Sequence, residues 1–127
     1  MDQKTLVIIK PDGVRRNLIG KITDYYESAG LRVLDIEMLQ IDEKTANIHY
    51  REHKGKDFFE ELIDYITSGP SVIIELAGED AISAVRRIND EIRKNYRINT
   101  TQNTVHGSDS PESAEREIIL FFGRQAI

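Results

Sequence analysis

Thr5-Leu6-Val7-Ile8-Ile9, followed at once by Lys10-Pro11-Asp12-Gly13, sets how the rest of the chain is read. A run of β-branched and apolar residues with no polar alternation is the signature of a strand covered on both faces. Proline, aspartate and glycine in succession then break it with turn chemistry. Working outward, apolar residues recur from Ile19 at Ile22, Tyr25, Tyr26 and Ala29, a helical spacing that stops at Gly30. Residues 31–39 read as a second strand, with Leu34, Ile36 and Met38 alternating against Asp35 and Glu37. Asp42 can cap a helix holding Ala46, His49, Tyr50 and His53.

After Gly55, a second helical stripe of Phe58, Phe59, Leu62, Ile63 and Ile66 ends at Ser68-Gly69-Pro70. Residues 71–76 form a third strand of the continuous apolar type. Gly78-Glu79-Asp80 opens a helix with the stripe Ala81, Val85, Ile88 and Ile92, and the apolar run at 117–122 reads as a fourth strand. The order β-α-β, helical insertion, β-α, loop, β predicts an α/β (α+β) fold, a ferredoxin-like βαββαβ sandwich. Its four-stranded sheet is antiparallel, both main helices lie on one face, and residues 1–127 form a single domain.

A chain of 127 residues without cysteine has neither a disulfide framework nor a cysteine metal site, and is long enough to build a core without them. A formal net charge of −5 argues against a dedicated nucleic-acid binder driven by phosphate neutralisation. It leaves room for a phosphate-bearing small ligand, which needs only local cations such as Lys10, Arg86 and Arg93. Met1-Asp2-Gln3-Lys4 runs straight into strand pattern, with neither a leader nor an apolar stretch of membrane-spanning length. The expected location is the cytoplasm, with no membrane partner.

No Gly-rich Walker loop and no dinucleotide fingerprint is present. His49 and His53 are spaced to share a helix face, but with no third ligand evident the expectation is no metal there. Tyr50, Phe58 and Phe59 sit at helical spacing, which usually means core; the alternative is a face on which a nucleobase stacks. Arg86 and Arg93 fall on one side of a continuous helix, as a phosphate clamp or a basic stripe. Asn103-Thr104-Val105-His106-Gly107-Ser108-Asp109-Ser110 sets a histidine among glycine, hydroxyls and a carboxylate, with Glu117 downstream. Imidazole is nucleophilic when neutral and changes charge near neutral pH. Taken alone the stretch reads as a histidine in a polar turn, since most surface histidines do no chemistry.

Taken with the rest of the chain, those residues resemble the nucleoside diphosphate kinase family nearly end to end. The resemblance is carried by residues 5–13, by His49-Tyr50-Arg51-Glu52-His53, by Phe58-Phe59 with Ile66-Thr67-Ser68-Gly69-Pro70, and most strongly by residues 103–117. It implies ping-pong transfer of a γ-phosphoryl group from a nucleoside triphosphate to a nucleoside diphosphate, ATP and GDP among them. His106 is then the nucleophile, Glu117 orients its imidazole and Ser108 supports Glu117. By the same resemblance Lys10 reaches ribose and terminal phosphate, Asn103 holds the sugar, and Arg86 and Arg93 grip phosphates. Tyr50 lies against the histidine, Phe58 stacks on the base and Leu62 lines it. Mg2+ arrives on the nucleotide with no protein cage, and the chain is a homo-oligomer.

One departure stands out. Between Arg86 and Arg93 the chain reads Arg87-Ile88-Asn89-Asp90-Glu91-Ile92, so roughly ten residues of a functional loop are missing, with its phosphate-contacting threonine. The helical stripe predicts that Arg93 comes from a helix end. Two other readings make different predictions. A weakened nucleotide-binding member of the same fold would bind without forming a phosphoenzyme. A ferredoxin-like regulatory or interaction domain would be indifferent to loss of His106.

Overall fold

The structure is a computed structural model and describes residues 2–123. Its centre is a sheet in the order β2-β3-β1-β4, antiparallel throughout. β1 (Asp2–Ile9) pairs along its length with β3 (Ser71–Glu79), and these two interior strands are the continuous apolar runs of the sequence. β2 (Arg32–Leu39) forms one edge and β4 (Val105–Gly107) the other, with His106 opposite Ile8.

Strand alternation divides the apolar residues between two cores. Val7, Ile9, Ile74 and Leu76 face α2 (Ile19–Ser28) and α5 (Ala81–Tyr96), meeting Ile22, Tyr26, Val85 and Ile92. Leu6, Ile8 and Ile73 face the other way, onto Ala46 of α3 (Glu43–His49), Ile63 and Ile66 of α4 (Phe59–Ile66), and Ile118 and Phe121 of α6 (Pro111–Phe122). Each fully buried side chain of this size contributes about 1.5–3 kcal/mol, which is why β1 tolerates no polar alternation. The two main helices share one face as expected, and the opposite face is covered as well.

Three local expectations change. The fourth strand is not at 117–122: those residues lie in α6, and the strand is the three-residue β4. Ser110 caps α6 by accepting from Ser113 N at 3.0 Å, and Pro111 takes the first helical position. Ala114, Ile118 and Phe121 then recur on one buried side, a spacing that a short unbroken apolar run conceals. Lys10-Pro11-Asp12-Gly13 is not a simple turn, because Pro11 starts the short helix α1 (Pro11–Arg15). The Asp42-capped helix ends at His49, and His53 lies in a separate 3-10 turn, Arg51–His53.

α5 runs unbroken from Ala81 to Tyr96, so Arg93 projects from its last turns. Among the described residues, no helix is long and apolar enough to cross a membrane.

Candidate active site

The chemistry gathers at the short edge strand. Alternation along β4 sends Val105 into the α2/α5 core and turns His106 to the α3/α6 side. There His106 Nε2 lies 3.0 Å from Glu117 Oε2 on α6. Glu117 is buried, and its other oxygen accepts from Ser108 Oγ at 2.6 Å. Ser108 is itself tied to β1, donating through its amide to Leu6 O at 3.1 Å and accepting from Leu6 N at 3.2 Å.

Burial would raise the Glu117 carboxyl, but hydrogen bonds from His106 and Ser108 and the nearby histidine charge hold it below the usual carboxylate range. An ionised Glu117 can only accept, so the shared proton belongs on His106 Nε2, and in the neutral form of the ring the lone pair is on Nδ1. That is the tautomer a nucleophile needs.

Behind His106 stands His49, its ring edge-on at 4.7 Å between centroids and its Nδ1 3.7 Å from Glu117 Oε2. Burial first, and the neighbouring His106 second, pull its pKa down to about 3, so it stays neutral. Tyr50 and Phe121 pack edge-on against the His49 ring, while His106 in front of it stays partly exposed. His49, His106 and Glu117 place ligand atoms within 4.8 Å of one another, the one such group among the described residues. The His106–Glu117 separation is that of a hydrogen bond, so this pair already serves to orient the ring.

In front of His106 opens a cleft of about 240 Å³. α5 contributes Arg86, Asn89, Asp90 and Arg93; Gly107, Asp109, Glu52 and His53 complete it. Arg93 also donates through Nη2 to Val105 O at 2.8 Å, which ties the helix to the strand carrying the histidine. Next to this cleft, and sharing His53, lies a wider hollow of about 640 Å³ bounded by Tyr50, Phe58, Leu62 and the turn at 99–101. Phe58 is 44% exposed, with Lys56 Nζ 5.7 Å over its ring and the His53 ring tilted against it at 5.5 Å.

Lys10 and Asn103 line neither cavity. They form a pair, Lys10 Nζ donating to Asn103 Oδ1 at 2.9 Å. Burial, then the charge of Arg93, lowers the Lys10 pKa to about 8 against the opposing pull of Asp12.

Several residues that shape the site carry no sequence signal of their own. Asp12, fully buried, accepts from Tyr65 Oη and from Thr104 Oγ1, the latter at 2.8 Å. Thr104 holds a φ of +76°, costly for a β-branched residue, and Lys10 N donates to its carbonyl at 2.8 Å. This network fixes the chain on both sides of Lys10 and just ahead of β4. No local pattern announces it, because its partners come from distant segments. Asp109 was visible within the histidine motif, whereas His49 gave only its spacing to His53.

An imidazole held by a carboxylate, in a cleft that two arginines also line, suits a phosphotransferase that works through histidine. A family model for nucleoside diphosphate kinase matches residues 3–127, and the chain belongs to that family. A nucleoside diphosphate kinase of Sulfurisphaera tokodaii is 47% identical over 98% of this chain and 92% of its own length. One from Listeria monocytogenes is 48% identical, with the same coverage. Both comparisons run over 135 positions, more than the 127 residues here, so each relative carries residues this chain lacks.

Among solved structures, the Halobacterium salinarum nucleoside diphosphate kinase in complex with CDP superposes with a TM-score of 0.93 at 40% identity, covering 98% of this chain and 90% of that one. The Aquifex aeolicus nucleoside diphosphate kinase gives 0.90 at 35%, with 96% of each chain covered. The fold is thereby the ferredoxin-like one expected, and the activity is phosphoryl transfer between nucleotides.

Proposed function

We propose that His106 Nδ1 is the atom that carries the phosphoryl group. The observation that carries this reading is the 3.0 Å contact between His106 Nε2 and Glu117 Oε2, which leaves Nδ1 as the nucleophilic nitrogen beside the arginine-lined cleft. In the first half-reaction Nδ1 attacks the γ-phosphorus of a nucleoside triphosphate such as ATP. The N–P bond forms, the bond from phosphorus to the bridging β-oxygen breaks, and the diphosphate leaves. Positive charge developing on the ring is balanced by Glu117 without moving a proton to it. A second diphosphate such as GDP then reverses the step through its terminal oxygen, and His106 is restored.

Arg86 and Arg93 take the negative charge spread over the phosphoryl oxygens. Lys10 and Asn103 serve the sugar and terminal phosphate as a linked pair. Phe58 stacks on the base, Leu62 lines it and Tyr50 closes the histidine side of the hollow. Stacking with few base-edge contacts gives broad base tolerance.

The cleft offers Glu52, Asp90 and Asp109, but no three carboxylates converge among the described residues. This scattered donor set fits Mg2+ brought in on the phosphates with most of its waters retained. Bound there, the ion would neutralise phosphate charge, with Asp109 and Glu52 available to its water shell. Leu34, Ile36 and Met38, between 45% and 54% exposed on edge strand β2, support a homo-oligomer.

The test is a phosphoenzyme trap with Mg2+ and γ-labelled ATP, chased with GDP. Acid-labile, base-stable label should form, pass into GTP and be absent from His106→Ala. Nucleotide binding without any label would mean a weakened member of the fold. Binding partners indifferent to His106→Ala would point to a regulatory domain.

A further inference from the structure

Arg86, Asn89 and Arg93 form one stripe of α5 that faces β4, and all three line the cleft. Asn89 stands out because it is 1% exposed on a helix whose other buried positions are Ala81, Ile82, Val85 and Ile92. A polar residue at such a position costs stability unless its groups are paired. Only half of it is. Its Oδ1 accepts from Tyr26 Oη at 2.6 Å, and burial holds that hydroxyl in its protonated, donating form. With Oδ1 so engaged, Nδ2 is turned away from Tyr26 toward β4.

There Nδ2 rests against Gly107, so closely that a Cβ at 107 would lie 2.7 Å from it. Among the described residues Nδ2 has no hydrogen-bond partner. Arg93 Nε, one turn further along the same stripe, is also buried and without a partner. The cleft carboxylates nearest these groups have other engagements: Asp90 with Arg93 Nη1 at 3.8 Å, and Asp109 with Ser113 Oγ at 2.6 Å. Asn89 thus sets a neutral donor on the stripe between Arg86 and Arg93, packed against the residue after His106 and without an acceptor among the described residues, in the lining of a cleft that both arginines share.

We infer that Asn89 Nδ2 is a phosphate-contacting donor, taking a non-bridging oxygen of the phosphate held between Arg86 and Arg93. It supplies from within a rigid helix a contact that a longer loop would otherwise bring. Tyr26 is its positioning residue, and Gly107 is required for the approach. This deepens the phosphotransfer reading of the cleft and rests on it.

The experiment compares wild type, Asn89→Ala and Asn89→Asp by calorimetric titration with ADP and with tripolyphosphate, and by inhibition with adenosine. Asn89→Ala should weaken ADP and tripolyphosphate about tenfold, the loss expected for one hydrogen bond to a charged group, and leave adenosine unchanged. Asn89→Asp has the same shape and still accepts from Tyr26, so it preserves packing. It replaces the donor by a carboxylate and should lose more than the alanine variant. Equal losses for ADP and adenosine would reduce Asn89 to a structural role and overturn the inference, as would an Asn89→Asp protein that binds tripolyphosphate like wild type. Failure of the broader reading looks different: wild type itself would then form no phosphohistidine.

Discussion

The two walls that flank His106 are built on opposite terms. On the α6 side the polar atoms of Ser108 and Glu117 are matched to one another, to His106 and to β1, and only His49 Nε2 behind them is buried without a partner among the described residues of that wall. On the α5 side two guanidinium groups and an amide face a cleft, with Asn89 Nδ2 and Arg93 Nε lacking partners. On the proposed reading His106 is a nucleophile whose tautomer must be set before substrate arrives, so the carboxylate that holds it is paired in advance. A phosphate site has to keep donors in reserve, because any internal acceptor would compete with the ligand. On that reading satisfaction and its absence serve the same reaction from opposite sides of His106.

Breaking the complete side should do the greatest damage. Glu117→Ala removes the group that holds the imidazole and balances its charge, and turnover should fall on the order of a hundredfold. KM should change far less, and steady-state kinetics with varied ATP separates the two. A loss confined to KM would place Glu117 on the binding side instead.

Arg93→Ala strikes the reserve side. Losing one charge-assisted contact, about 1.5–3 kcal/mol, should raise KM roughly tenfold or more, with burst-phase phosphohistidine still detectable by quench-flow. Full loss of the phosphoenzyme would show that the arginine acts mainly in the transition state.

The smallest effect sharpens the same contrast through pH. Lys10, drawn down to about 8 by burial and by Arg93, has on the proposed reading to be protonated to meet a phosphate. Rising pH therefore removes a cation, and kcat/KM should fall as pH climbs through about 8. Bound phosphates favour the ammonium, so the alkaline limb of kcat should lie higher. Removing the carboxylate that opposes the shift, in Asp12→Asn, should move the kcat/KM limb downward. A limb that stays put in that variant would assign it to another group.

Much of this was legible in the residues, and the failures share a physical cause. β1 and β3 are long enough for burial on both faces to leave an unbroken apolar signature. β4 has three residues, too few for any period, although it bears the central histidine. α6 was misread because Ile118-Ile119-Leu120-Phe121-Phe122 is apolar all round where it packs, while the telling pair, Ser110-Pro111, sits well upstream. His106, Glu117 and Ser108 were singled out by the resemblance to the family, which is strongest over the one continuous segment 103–117, and the structure brings the three together. Asn89 and Asp12 were not singled out. Their roles depend on Tyr26 and Tyr65, residues 63 and 53 positions away, and on where Gly107 and Thr104 pass.

The hydrogen bond from Arg93 to Val105 O also bears on how the sheet can grow. An outer strand normally invites a further chain to add along its open acceptors. At β4 that invitation is withdrawn: the strand is short, and Arg93 occupies an acceptor on its outer side. At the far margin β2 offers eight residues and three exposed apolar side chains. Any extension of the sheet by a second copy is therefore one-sided. Among the described residues, two molecules joined through β2 would leave at either end only the short β4, one of its outward acceptors already taken by Arg93.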